Sequence, residues 1–207
     1  MGFLQLLFSD PLTFVLLAIP LLYSIIIHEL AHGWVAYKMG DSTAKWLGRL
    51  SFNPIRHLDP IGTAALFLVG FGWAKPVPVN FANLRDHKKG LIFVSAAGIT
   101  ANIILALLSF LLLRLISPIS SDRIFTLLYN MGNINIMLAA FNLIPIPPLD
   151  GSKILMGFSS GRLRYMVERL EPYGMFIILG LLWIGVLNPV IYVFRQIIVG
   201  IIRLFLP

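Results

Sequence analysis

Apolar residues run through this chain in long, nearly uninterrupted stretches separated by shorter polar ones. Residues 11–27 carry no charge, and apolar character continues to Tyr37 with only His28, Glu29 and His32 interrupting. At a 1.5 Å rise, a helix over 12–37 is about 39 Å long, enough to cross a bilayer with tilt. Pro20 is expected to kink it. Neither the basic start nor the small-residue cleavage site of a signal peptide accompanies this stretch. A basic stretch at 38–60 holds Lys38, Lys45, Arg49 and Arg56. The uncharged 61–74 segment, with Gly62, Gly70 and Gly72, reaches only about 21 Å as a helix and reads as re-entrant or interfacial. KPVPV at 75–79 is expected to be extended, because proline disfavours helix at its own position and the one before. Residues 91–113 form an uncharged span whose Ser95, Ala96, Ala97, Gly98, Ala101 and Asn102 suit close helix packing. After a short connection at 114–123 comes an apolar segment at 124–149. It contains Asn130, Asn133, Asn135 and Asn142 and ends in Pro145, Pro147 and Pro148. Residues 151–171 are polar and basic, and 172–194 are again uncharged. Asn188-Pro189 allows two readings, a tight hairpin or a single crossing with an amphipathic tail at 195–207.

Composition agrees with this pattern. Of the 207 residues, 58% are hydrophobic and 12% charged. So few charges cannot cover a soluble surface, and a disordered chain needs the opposite balance. The expected class is an all-α multi-pass membrane protein, a single domain over 1–207 with a bundle of about 4–6 transmembrane helices. A short re-entrant or extended hairpin is expected near 61–79. The net charge of +7 reads as loop charge that sets topology rather than as a nucleic-acid footprint. If 61–74 does not cross, residues 38–90 carry eight Lys/Arg, 114–123 two and 151–171 four. That alternation puts the N-terminus outside and the two larger loops in the cytoplasm. With no cysteine present, disulfides, thiolate metal sites and cysteine catalysis are excluded.

The candidate chemistry centres on HELAH at 28–32. His28 and His32, four apart on a helix, project from one face and can converge on one metal, with Glu29 beside them in reach of a water. An ionisable trio in a spanning segment is costly unless paired or coordinated. A catalytic zinc site usually needs a third protein ligand. His57 and His87 sit in basic loops, where histidines are usually plain surface residues. Asp150 is a carboxylate directly after the 124–149 apolar segment. By itself Asp150-Gly151 after prolines reads equally well as a turn. Topology favours it as a ligand, since both helices run from outside to inside and bring His28, His32 and Asp150 to the same face.

HELAH together with NLIPIPPLDG at 142–151 resembles the site-2 protease family of intramembrane zinc metalloproteases. FGWAKPVPV at 71–79 and GITAN at 98–102 are similar to further family features. The resemblance implies that His28, His32 and Asp150 ligate one Zn²⁺, that Glu29 is the catalytic base and that Asn142 faces the substrate. It implies single-span membrane-protein substrates and a home in the lipid bilayer of a prokaryotic cell membrane, while the loop charges put the active site near the cytoplasmic side and call for no nucleic-acid partner. Ile99 stands where the family usually has proline, and the chain is read as a core-only member without PDZ or CBS domains. The competing readings are a membrane metal-ion transporter and a catalytically inactive, binding-only relative. An ion path wants polar groups in both leaflets and often an inverted repeat. Here the ionisable groups gather near one face and no repeat is visible. For an extended substrate, 61–74 and 75–79 are candidates for an exposed strand edge.

Overall fold

The computed structural model describes residues 3–69, 72–116 and 121–206. Gly70 and Phe71, in the 61–74 segment, and residues 117–120, in the 114–123 connection, lie outside that set. Ten α-helices are described: α1 (Phe3–Ser9), α2 (Pro11–Lys38), α3 (Thr43–Trp46), α4 (Pro60–Val69), α5 (His87–Ile116), α6 (Asp122–Asn142), α7 (Asp150–Phe158), α8 (Gly161–Leu170), α9 (Gly174–Trp183) and α10 (Leu187–Phe205). Four of them, α2, α5, α6 and α10, are long and apolar enough to cross a membrane. The chain is an all-α integral membrane protein.

Local chemistry sets the helix ends. Asp10 caps α2 by accepting from the Thr13 amide, with Pro11 at the first helical position. Ser121 caps α6 in the same way through Ile124. α2 runs on through Pro20 without a break. α5 sits at the centre and packs against α2, α6 and α7. Ile99 and Ala106 of α5, Ile136, Ala139 and Ala140 of α6 and Ile198 and Ile202 of α10 form the main apolar core. Ala106, Ala139 and Ala140 in this core let the α5 and α6 backbones approach closely, which favours helix association in lipid. A second core joins Ile144 and Leu149 of the turn after α6 to Ile178 of α9 and Leu187 of α10.

Two segments differ from the sequence expectation. In the 61–74 stretch α4 takes up 60–69, and among the described residues the return limb alone is extended, with Leu58 and Ala74 in an isolated antiparallel bridge and the Lys75 amide donating to the His57 carbonyl. The apolar, alanine-containing run before Gly70 satisfies its own backbone as helix, the default where water is scarce. Residues 66–69 therefore offer no strand edge. The 172–205 region is a helical hairpin, as one of the two readings had it. Its turn is at 184–186 rather than at Asn188-Pro189, because Pro189 near the N-terminus of α10 costs no helical hydrogen bond.

Candidate metal centre

His28 and His32 lie on one face of α2, their rings edge to face with centroids 4.5 Å apart. Their Nε2 atoms are 2.9 Å apart. Asp150 Oδ2 lies 3.3 Å from His28 Nε2 and 3.2 Å from His32 Nε2. All three residues are buried. Asp150 arrives from the start of α7, where Gly151 packs so tightly beneath the preceding turn that a Cβ would fall on the Leu143 and Ile144 carbonyls. Asp-Gly is thus a packing requirement here: only glycine lets α7 begin close enough to present the carboxylate. Opposite the imidazoles, Gly98 of α5 leaves the space that a Cβ would fill against His32 Nε2 and His28 Cε1.

The hydrogen bonds decide what the three atoms present to one another. His32 Nδ1 is 2.7 Å from the Val94 carbonyl, which can only accept, so Nδ1 carries the proton. His28 Nδ1 is 2.6 Å from Asn102 Oδ1 and donates likewise. In its neutral form each ring therefore turns the lone pair of Nε2 toward Asp150. Asp150 Oδ2 is buried without a hydrogen-bond partner. Two lone pairs and a carboxylate oxygen converging in a buried space repel unless a cation sits among them. A tetrahedral zinc ion about 2.0–2.1 Å from each donor would set them about 3.3 Å apart. The residues present fit such an ion in donor type, spacing and committed tautomer.

Glu29 is next to the trio, its Oε2 accepting from the Val77 amide at 2.7 Å. Val77 belongs to the extended 75–79 run, which borders a cavity of about 330 Å³ together with His28, Glu29, His32, Asn142 and Asp150. Arg49 donates to the Lys75 and Pro76 carbonyls at one end of this run, and Asp41 accepts from the Asn80 amide beyond the other. Pro76 and Pro78 have no N–H and the Lys75 amide is taken by the His57 carbonyl, so Val77 and Val79 are the remaining donors, and strand alternation puts both on one edge. Among the described residues the Val79 amide has no partner. Asn142 lines the cavity with its amide donating to the Leu138 carbonyl at 3.0 Å, which leaves one N–H and its Oδ1 uncommitted.

His57 is buried rather than a surface residue, its Nε2 2.7 Å from the Ser51 carbonyl. His87 is at the N-terminus of α5, near Arg164. Neither joins the trio. Sequence reasoning missed several residues that build the site: Val94, Asn102, Ser24 and Asn135 behind the histidines, Asp41 and Arg49 bracing the extended run, and Ser95, whose buried hydroxyl has no partner and lines the cavity. The asparagines within an apolar segment were the visible signal.

Comparison with known proteins points the same way. The family model "Peptidase family M50" matches residues 117–185, a stretch that includes Asn142 and Asp150. The chain is 40% identical over 170 residues to "Putative zinc metalloprotease YwhC" of Bacillus subtilis, covering 79% of this chain and 78% of the relative. It is 27% identical over 183 residues to "Putative zinc metalloprotease Rip2" of Mycolicibacterium smegmatis, covering 84% and 69%. It is 29% identical over 160 residues to "Zinc metalloprotease MJ0392" of Methanocaldococcus jannaschii, covering 76% of this chain and 38% of that longer protein. No solved structure matches. Similarity of this depth, over most of both chains in the first case, establishes that the chain belongs to peptidase family M50.

Proposed function

We propose that this chain, as a single membrane-embedded domain, is an intramembrane zinc metalloprotease that hydrolyses peptide bonds in single-span membrane-protein substrates. The supporting observation is the convergence of His28 Nε2, His32 Nε2 and Asp150 Oδ2 within 3.3 Å, with both Nδ1 atoms committed to acceptors. These three residues would hold the ion. Zinc, when bound, supplies a Lewis acid that polarises the scissile carbonyl and acidifies a water molecule. Glu29 takes the proton from the attacking water through Oε1 while the Val77 amide fixes Oε2, and it then delivers that proton to the leaving amine. The free amide hydrogen of Asn142 and the Ser95 hydroxyl, both on the cavity wall, are donors for the substrate's carbonyl oxygen. A transmembrane helix shields its own peptide bonds, so the substrate unwinds and adds as a strand to the Val77–Val79 edge. The positive-inside count supports an N-terminus outside a prokaryotic cell membrane, with this chemistry toward the cytoplasmic side.

The test uses purified chain and a single-span model substrate in nanodiscs. Cleavage should stop with a zinc chelator and return with added zinc. Glu29→Gln should retain zinc yet lose cleavage by at least about a hundredfold. Cleavage that survives chelation or this substitution contradicts the proposal, and zinc flux in proteoliposomes without cleavage would favour a transporter.

A further inference from the structure

Asn135 lies deep in α6, fully buried, and touches neither the cavity nor the histidines. Its side-chain amide donates to the Met131 carbonyl at 2.8 Å and to Ser24 Oγ at 2.7 Å. Both amide hydrogens are thereby used, and the Met131 carbonyl, able only to accept, fixes which end of the carboxamide faces it. Asn135 Oδ1 must then face Asn102, and it accepts from Asn102 Nδ2 at 2.7 Å. The second hydrogen of Asn102 Nδ2 points toward the Ser24 carbonyl at 3.5 Å. Asn102 Oδ1 is left as the atom presented to His28 Nδ1 at 2.6 Å. Each orientation forces the next, from a backbone carbonyl of α6 through α5 to a ring on α2.

We infer that Asn135 is a positioning residue for the metal centre. Through Asn102 it holds His28 in the tautomer that turns the Nε2 lone pair toward His32 and Asp150. The inference rests on the metal-site reading above. The bond counts support it: the amides of Asn135 and Asn102 and the Nδ1 of His28 are satisfied in one direction around the chain of bonds. Flipping either carboxamide would set a donor against a donor or an acceptor against a carbonyl. His32 needs no such relay, because Val94 supplies a carbonyl directly. In Asn135→Leu the Asn102 carboxamide loses its best acceptor. Rotated, it would offer its NH₂ to His28 Nδ1, and the ring would then carry its proton on Nε2, where a ligand lone pair is needed.

Two variants separate positioning from packing. Asn135→Asp keeps an acceptor for Asn102 and should bind zinc within about threefold of wild type in a chelator-competition titration. Asn135→Leu should bind about 10–100-fold more weakly, the usual cost of losing a partner behind a ligand. A purely packing role gives the reverse order, since leucine suits a membrane span and aspartate does not. The second readout is the ¹⁵N spectrum of histidine-labelled full-length protein in nanodiscs at alkaline pH, before zinc loading. His28 should show the Nδ1–H tautomer in wild type and Asn135→Asp and the Nε2–H tautomer in Asn135→Leu, with His32 unchanged as the folding control. An unchanged His28 tautomer in Asn135→Leu, or undiminished zinc affinity there, overturns the inference. If wild type itself binds no zinc, the metalloprotease reading fails, while the tautomer spectra still decide the role of Asn135.

Discussion

At the scale of single residues, two backbone carbonyls determine what the histidines present. Val94 does so directly for His32, and Met131 does so for His28 through two asparagines. The pair His28 and His32 was legible in the sequence because helical spacing alone puts i and i+4 on one face. Asn102 and Asn135 were visible only as polar residues in apolar segments. Their partners lie 74 and 33 positions away, and no local pattern encodes which pairs meet. Gly98 is similar, since its role is the space it leaves. Gly98→Ala should lower zinc affinity by at least about tenfold, because the added methyl group falls where His32 Nε2 stands. The helix should persist, alanine being the better helix former. Equilibrium dialysis against zinc with circular dichroism as control checks this, and unchanged affinity would contradict the placement of the imidazoles.

At the scale of elements, the extended 75–79 run is braced at both ends and held to Glu29 in the middle. Its two prolines made it readable as extended. Its distance from α2 was not readable, because the bracing residues come from other loops. Val79→Pro removes the remaining unpartnered N–H of the edge. It should lower kcat/KM on a single-span substrate by about tenfold, the worth of roughly one hydrogen bond, with zinc content unchanged. Equal kcat/KM would count against strand addition. Asp41 ties this run to the end of α2, accepting from Thr43, Asn80 and Asn83. Burial pushes its carboxyl up, but these hydrogen bonds bring it below its ordinary value of 3.8. A depressed carboxylate stabilises the fold above that value, and the contribution fades as pH falls through it. Between about pH 6 and about pH 3 the wild-type Tm should therefore fall further than that of Asp41→Asn. Parallel curves for the two would show that Asp41 carries no such linkage.

At the scale of the whole molecule, the membrane class and the positions of α2, α5 and α6 followed from long apolar stretches, which have few alternatives in lipid. The 60–80 and 172–205 regions were harder. Their short apolar runs suit helix and extended chain alike, and tertiary packing decides between them. α2, α5 and α6 must alternate in direction for His28, His32 and Asp150 to meet, and the loop charges give the same alternation a sidedness. The absence of native cysteine makes that sidedness easy to measure. Single cysteines at Ser42 and Ser160 should react with a membrane-impermeant maleimide only from the cytoplasmic side, and one at Ser121 only from outside. The reverse pattern would invert the proposed orientation.

The coordination of three side chains from α2 and α7 around one ion is tested most directly by zinc-edge X-ray absorption on the purified full-length chain. One zinc per chain is expected, bound by two imidazole nitrogens and a carboxylate oxygen at about 2.0–2.2 Å, with the oxygen shell diminished in Asp150→Ala. A spectrum without imidazole scattering, or one that Asp150→Ala leaves unchanged, would contradict the account.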